Sequence, residues 1–150
     1  MKLFGAEIQK ENIFFWENAL PENYAYGFLY ESLVNLKIPF DALETWQEMQ
    51  NRIHLGVYMG DSLLLPHVRV SLEKPFLAFG VSKKGIQIQK NPPKEQVHFI
   101  AMLLSPLHSP LAHTTVISNI AKCFLNKTYK EELLLCANKE ALIAFFEKKI

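Results

Sequence analysis

Apolar runs in the middle of the chain predict the strands of a β-sheet. The run at residues 97–104 is typical of a strand that is buried on both faces, and residues 75–81 form a second such run. A shorter run, residues 63–65, predicts another buried strand. Because Pro66 cannot donate a hydrogen bond to a sheet ladder, it marks the end of this strand or a sheet edge. The alternation of apolar and polar residues at 86–89 predicts a half-exposed strand.

Apolar residues at helical spacing predict five helices around these strands. Their predicted ranges are 21–36, 41–52, 111–125, a segment that opens at Thr128 and a segment capped by Asn138. Asp41 and Thr128 are each followed three residues later by a glutamate, the capping-box arrangement that favours a helix start. Leu43 and Leu111 fall on the apolar stripes of their helices, so we expect both side chains to face the core.

The order of these elements predicts one α/β domain over residues 1–150. Residues 1–20 contain apolar side chains but follow no single period. The strands are neighbours in the middle of the chain, with helices before and after them, which favours a mixed sheet over a strict alternation of strand and helix. We therefore expect a single-domain sandwich, with a mixed central β-sheet flanked by helices on both faces.

Composition and charge exclude several classes of function. The formal net charge is only +1, which argues against a nucleic-acid partner held by bulk electrostatics. No apolar run approaches the roughly 18 residues of a membrane-spanning helix, and the charged N-terminal stretch does not suit a signal peptide. Cys123 and Cys136 form no CxxC motif. We expect reduced core thiols, no membrane insertion and a cytoplasmic location.

The segment Pro66-His67-Val68-Arg69 carries the candidate chemistry. Its histidine follows a predicted buried strand, so the chain is expected to leave the core there while the strand holds the imidazole in place. Arg69 is always charged and offers a planar fork of donors that suits phosphate. Taken by themselves, these residue types are compatible with phosphate, carboxylate or metal, and a lone Pro-His-x-Arg is more often structural.

Four segments together resemble a known family. They are residues 60–69 with Pro66-His67, residues 40–48, residues 74–81, and residues 96–106, which read Gln-Val-His-Phe-Ile-Ala-Met-Leu-Leu-Ser-Pro. In this order they are similar to the enzyme IIA domains of the bacterial phosphoenolpyruvate-dependent phosphotransferase system, of the fructose, mannitol and nitrogen-regulatory type. The resemblance extends from Phe40 to the closing helices, and His113 falls on the second active-site histidine of the family.

The resemblance implies a role for each candidate residue. His67 would be the phosphorylated histidine, because a neutral imidazole is nucleophilic near neutral pH. His113 would orient the transferring group, helped by the positive end of its helix. Arg52 and Arg69 would bind phosphate or dock a partner, or be ordinary surface charges. Asp61 would accept a bond from His113 or fix a ring tautomer, or else be a turn residue.

The sequence departs from the family in two respects, and one alternative chemistry stays open. The spacing between Arg52 and His67 is one residue shorter than usual. Leu64 and Val68 replace smaller residues, and their bulk is expected to crowd the docking surface. A zinc site built on His67, His108 and His113 is the alternative, although the last two are five residues apart across a proline, which is not a helical ligand spacing.

Partners and cofactors follow from the resemblance. The phosphoryl donor would be the small histidine phosphocarrier protein (HPr-like), and the acceptor a IIB domain or a regulated protein. No cofactor and no metal are required. A separate transport subunit and a nitrogen-type regulator both remain open, with regulation favoured because no permease part is present. The alternative is a module of the same fold that binds proteins and is not phosphorylated, which the departures at Leu64 and Val68 favour.

Overall fold

The computed structural model describes residues 1–149 as a mixed β-sheet with helices on both faces. The strands are β1 Lys2–Leu3, β2 Ala6–Glu7, β3 Ile13–Trp16, β4 Leu20–Pro21, β5 Leu63–Leu64, β6 His67–Val70, β7 Phe76–Ser82, β8 Ile86–Gln87 and β9 Phe99–Pro106. The α-helices are α1 Glu22–Val34, α2 Ala42–Leu55, α3 Pro110–Leu125, α4 Lys127–Leu135 and α5 Lys139–Lys149, and a short 3₁₀ helix spans Lys10–Asn12.

β9 is the centre of the main sheet, with β7 antiparallel on one side and β5 and β6 parallel on the other. β2 and β3 both pair in parallel with the far side of β7, and β1 pairs with β2. Within the register between β6 and β9, His67 lies opposite Leu103 and Arg69 lies opposite Ser105. β4 and β8 form a separate two-stranded sheet.

Side chains alternate across the sheet, so that each face has its own core. Phe99, Ala101 and Leu103 pack on one face against a set of buried residues from the last three helices: Val116, Ile120, Phe124, Leu133, Leu142 and Phe146. Ile100 and Met102 pack on the other face against residues of the first two helices: Ala25, Leu29, Leu33 and Met49. The sandwich with both sheet faces covered is confirmed.

The strand prediction around Pro66 needs one correction. The chain does not leave the core at His67; after the break at Leu65 and Pro66 it resumes strand pairing as β6, alongside the same neighbour β9. Pro66 loses nothing by lacking an N–H, because β5 and β6 form an edge of the sheet, and its carbonyl accepts a bond from the backbone N–H of Leu103 at 3.0 Å. Pro66 lies in the break between β5 and β6 at an edge of the sheet, so the predicted strand end and the predicted sheet edge are both confirmed.

The helix predictions are confirmed in number, and several of their details are corrected. The side chains of Asp41 and Asn138 accept from the expected backbone N–H groups, at 2.9 and 2.8 Å. α4 instead begins one residue before Thr128, because the side chain of Asn126 accepts from the Tyr129 N–H at 3.1 Å and caps the helix. The helix predicted to end near residue 52 continues to Leu55.

Two leucines that were expected in the core lie on the surface. Leu43 is 69% exposed and Leu111 is 77% exposed. Each lies in the first turn of its helix.

The cysteines and the helices bear on two predictions, those of reduced core thiols and of no membrane insertion. Cys123 and Cys136 are both free, the first half-buried and the second buried, and burial raises the pKa of both thiols. Within residues 1–149, no helix combines the length and the hydropathy needed to cross a bilayer.

Candidate functional site

Two parallel strands and the start of a helix meet at one end of the sheet. The loop of residues 107–109 leads from the end of β9 directly into α3, whose first turn contains His113. His67 and Arg69 are two residues apart on β6, so they point to the same sheet face, which is also the face of Leu103 and Ser105. This end of the sheet therefore collects polar side chains where the α3–α5 core stops.

The ring of His67 is held by its own strand. Its Nδ1 lies 2.9 Å from the backbone carbonyl oxygen of Leu65. A carbonyl can only accept, so Nδ1 carries the proton in this contact and Nε2 of the neutral ring keeps a free lone pair. The side chain is half-buried, so the nucleophilic nitrogen belongs to a ring that is fixed in place and still reached by solvent.

His113 faces His67 from the helix. The two ring centroids are 5.6 Å apart, with 37° between the ring planes. Nδ1 of His113 lies 2.7 Å from the hydroxyl of Ser105. The helix start is fixed by Ser109, whose side chain accepts from the N–H of Ala112 at 3.3 Å and whose carbonyl accepts from the N–H of His113 at 3.2 Å.

The surroundings of His113 disfavour its protonation. Burial lowers the pKa of its imidazole below the usual value, and the cationic groups of Arg69 and Arg52 and the neighbouring imidazole of His67 lower it further. Both arginines are therefore within electrostatic reach of this ring. An anion arriving between the two imidazoles would lie near the positive charge of Arg69, which favours binding of a phosphate-like group.

The two arginines have different structural attachments. Arg69 donates from Nε to the Pro106 carbonyl at 3.1 Å and from Nη2 to the Leu107 carbonyl at 3.0 Å. It therefore fastens the end of β9 and the start of the loop before α3 to β6. Arg52 is exposed and donates to Glu48 at 3.0 Å, an ion pair along α2 that leaves other guanidinium donors available.

Asp61 is not brought to the imidazoles. It lies in the turn before β5, where its backbone has φ of 55°, and its carboxylate is 3.6 Å from the ammonium group of Lys130. The contacts predicted for it are made by other groups, since the Leu65 carbonyl and the Ser105 hydroxyl bind Nδ1 of the two rings. The alternative of a turn residue is the one that the structure supports.

Leu64 and Val68 do not crowd the site. Both are about 1% exposed and belong to the core under α1 and α2, on the sheet face opposite His67. Their positions differ by one residue from those of Leu65 and His67, and successive strand residues point to opposite faces. The expectation that these two departures narrow the docking surface is wrong.

The other histidines have separate environments. His98 is half-buried, with Nδ1 2.9 Å from the Ser82 carbonyl, which agrees with its expected role as a satisfied sheet residue. His108 lies exposed in the loop before α3. Among residues 1–149, no group of three or more histidine, cysteine or acidic side chains is arranged to hold a metal ion.

Ser105 is the site residue that sequence reasoning missed. In the sequence it is a small polar residue at the end of an apolar strand, eight positions before His113. That pattern was interpreted only as the end of the strand. Its side chain is fully buried and contacts His113 directly.

The fold and the site together define the class of protein. It is an α/β sandwich domain in which a histidine on an edge strand faces a second histidine at the start of a helix. The chain belongs to the family described as "Phosphoenolpyruvate-dependent sugar phosphotransferase system, EIIA 2", whose sequence model matches residues 7–149. The resemblance seen in the sequence is thereby confirmed. Among curated protein sequences, no significant match is found.

Solved structures share the fold at low sequence identity. The nitrogen regulatory protein IIA-Ntr from Neisseria meningitidis superposes with a TM-score of 0.76 at 19% identity, covering 93% of this chain and 95% of the other. IIA mannitol from Escherichia coli gives 0.72 at 20% identity, with 93% and 99% covered. The E. coli complex of enzyme IIA-mannitol with phosphorylated enzyme IIB-mannitol gives 0.74 at 19% identity, with 95% and 98% covered.

Proposed function

We propose that this chain is a phosphoryl carrier in which His67 accepts a phosphoryl group from a histidine phosphocarrier protein. The observation that carries the proposal is the bond from Nδ1 of His67 to the Leu65 carbonyl, which leaves Nε2 as the nucleophilic atom beside a second imidazole. Family membership supports the same reaction class.

The transfer exchanges one N–P bond for another. The Nε2 lone pair of His67 attacks phosphorus, and the imidazole nitrogen of the donor departs with the electron pair of the broken bond. The proton on Nδ1 stays in place, so the ring becomes positively charged while the phosphoryl group keeps its negative charges. The Leu65 carbonyl stabilises that positive ring through the bond that it already accepts.

His113 and the arginines stabilise the charge on the phosphoryl oxygens. In-line transfer spreads that charge over three oxygens, so catalysis depends on positioning and on placed donors. His113 stands at the positive end of α3, and Arg69 and Arg52 contribute positive potential at the same ring. No cofactor takes part in this scheme.

The phosphoryl group then passes to a IIB partner, or its presence on His67 signals to a regulated protein. The solved complex of a IIA with a phosphorylated IIB supports the first destination, and the similarity to a nitrogen regulatory IIA supports the second. We propose both as candidate destinations and place the reaction in the cytoplasm. The rival function is a protein-binding module without phosphorylation. The departures at Leu64 and Val68 no longer support it, because both side chains lie in the core under α1 and α2, on the sheet face opposite His67.

Intact mass spectrometry tests the proposal. The chain is incubated with phosphoenolpyruvate, enzyme I and the histidine phosphocarrier protein, with a known IIA as positive control. We expect one added phosphate, which is absent in His67→Ala and retained in His54→Ala, a histidine on the exposed end of α2. No mass gain while the known IIA is phosphorylated would refute the carrier and favour the binding module.

A further inference from the structure

The contact between Ser105 and His113 determines which nitrogen of His113 carries a proton. Ser105 is fully buried at the end of β9, and its Oγ lies 2.7 Å from Nδ1 of His113. A hydroxyl can donate or accept, so the distance alone does not give the direction of the bond.

The direction of this hydrogen bond follows from the hydroxyl proton of Ser105, which is buried and requires an acceptor. Among residues 1–149, Nδ1 of His113 is the one hydrogen-bond partner of this hydroxyl, and no buried side-chain polar atom is left without a partner. If Nδ1 carried the proton and donated, the hydroxyl proton of Ser105 would be buried without an acceptor, which is costly. The hydroxyl therefore donates to Nδ1, and the proton of the neutral imidazole resides on Nε2.

The two imidazoles are thereby fixed in complementary tautomers. The Leu65 carbonyl puts the proton of His67 on Nδ1, whereas the Ser105 hydroxyl puts that of His113 on Nε2. One ring then offers a lone pair to phosphorus and the other an N–H to a phosphoryl oxygen. We propose that Ser105 is a positioning residue, which makes neutral His113 a hydrogen-bond donor in phosphoryl transfer.

Parallel strand pairing brings Ser105 to this position. It lies opposite Arg69 in the β6–β9 register, two residues beyond Leu103, which lies opposite His67. Alternation along both strands puts His67, Arg69 and Ser105 on one face, beneath the first turn of α3. The same pairing that aligns the nucleophile with the sheet edge therefore delivers the hydroxyl to the second histidine.

Nitrogen NMR of the imidazole rings tests the tautomers without any phosphoryl transfer. Spectra of the free protein at a pH where both rings are neutral should show His67 protonated at Nδ1 and His113 protonated at Nε2. In Ser105→Ala the His113 pattern should change, while that of His67 stays as it is, because the Leu65 carbonyl is untouched. His113 protonated at Nδ1 in the unaltered protein would overturn the proposal.

The rate of phosphoryl transfer tests the consequence, which rests on the function proposed for His67. Loss of the hydroxyl should slow transfer to His67 by about 2- to 13-fold, the range set by one net hydrogen bond. Ser105→Thr keeps a hydroxyl and should recover most of the rate. Ser82→Ala is the matched control, because it removes another fully buried hydroxyl, one bonded to Gly85 and Asn18, away from the two imidazoles.

The outcomes separate the two proposals. An unchanged rate in Ser105→Ala, or an equal loss in Ser82→Ala, would refute the positioning role. A protein that is never phosphorylated would refute the carrier function, and the NMR tautomers would still decide the role of Ser105.

Discussion

Replacing Arg69 by methionine should disturb both the structure and the electrostatics of the site. The guanidinium group bonds the Pro106 carbonyl at the end of β9 and the Leu107 carbonyl in the loop before α3, and its charge lowers the pKa of His113 after the larger effect of burial. Methionine keeps much of the side-chain length and removes the charge and the donors. The expected result is a less stable protein in which the pKa of His113 is raised.

The stability loss can be worked from the two bonds. A hydrogen bond from a charged donor is worth about 1.5–3 kcal/mol when it is protected from water. The bond to the Leu107 carbonyl is exposed, so water replaces it at little cost, whereas the bond to the Pro106 carbonyl is partly buried. We therefore expect a loss of about 1–2 kcal/mol in unfolding free energy, or about 2–8 °C in melting temperature for a domain of this size.

Urea unfolding and an NMR titration of His113 measure the two effects separately. Arg69→Lys is the matched control, since it keeps the charge but cannot donate to both carbonyls in the same fork geometry. The lysine variant should lose stability while the pKa of His113 stays close to that of the unaltered protein. An unchanged urea midpoint together with an unmoved His113 pKa in Arg69→Met would refute the reasoning on both counts.

Three further changes test the fold and the site. Gly80→Ala should cost about 1–3 kcal/mol, because the new Cβ would lie 2.6 Å from Cη2 of Trp16, and an unaltered melting curve would contradict it. In urea unfolding, Asn126→Ala should lower the unfolding free energy by about 1 kcal/mol, because Asn126 caps α4. Thr128→Ala should leave the unfolding free energy nearly unchanged. A larger loss in Thr128→Ala than in Asn126→Ala would restore Thr128 as the cap. The pKa of His113 is lower in the folded protein than its unfolded value of about 6.5, so the unfolded chain binds a proton more readily as pH falls. The stability that is present above the unfolded pKa is therefore lost as pH falls through the folded-state pKa. His113→Gln should therefore reduce the loss of unfolding free energy on acidification, and parallel pH curves for the two proteins would contradict this.

The central strands and most helices were predictable because their signals are local. β9 is buried at every residue, and β7 at all but its first, so their sequences are continuous apolar runs. The side chains of Asp41 and Asn138 cap α2 and α5 as their sequence contexts predicted. Each of these features depends on residues that are neighbours in the chain.

The N-terminal strands could not be predicted because long-range pairing creates them. β1 and β2 have only two residues each, too few to show a period. β3 has the sequence Ile-Phe-Phe-Trp, in which apolar and polar residues do not alternate. Its aromatic rings pack against residues distant in the chain, as in the stacking of Phe14 on Phe28 of α1. Trp16 packs over Gly80 of β7, a partner more than sixty residues away.

The site was predictable only in part, and the reason lies in which residues carry a recognisable pattern. His67 and His113 were assigned from the family resemblance, and the structure brings their rings together. Arg69 was expected to bind phosphate, to dock a partner or to be an ordinary surface charge, and its bonds to the Pro106 and Leu107 carbonyls had no signal in the sequence. The role of Ser105 depends on a contact across eight residues and a chain reversal, which no local spacing indicates.

Strand register is the common cause behind these contacts. The sequence His-Val-Arg-Val alternates polar and apolar residues, the pattern of a strand with one face in a core and one face open. A shift of one residue against β9 would turn His67 and Arg69 into the core under α2 and bring Val68 to the site. Burial of Val68 and Val70 on one face therefore holds the nucleophile and the loop-fastening arginine on the other, so the packing of the edge strand positions the site.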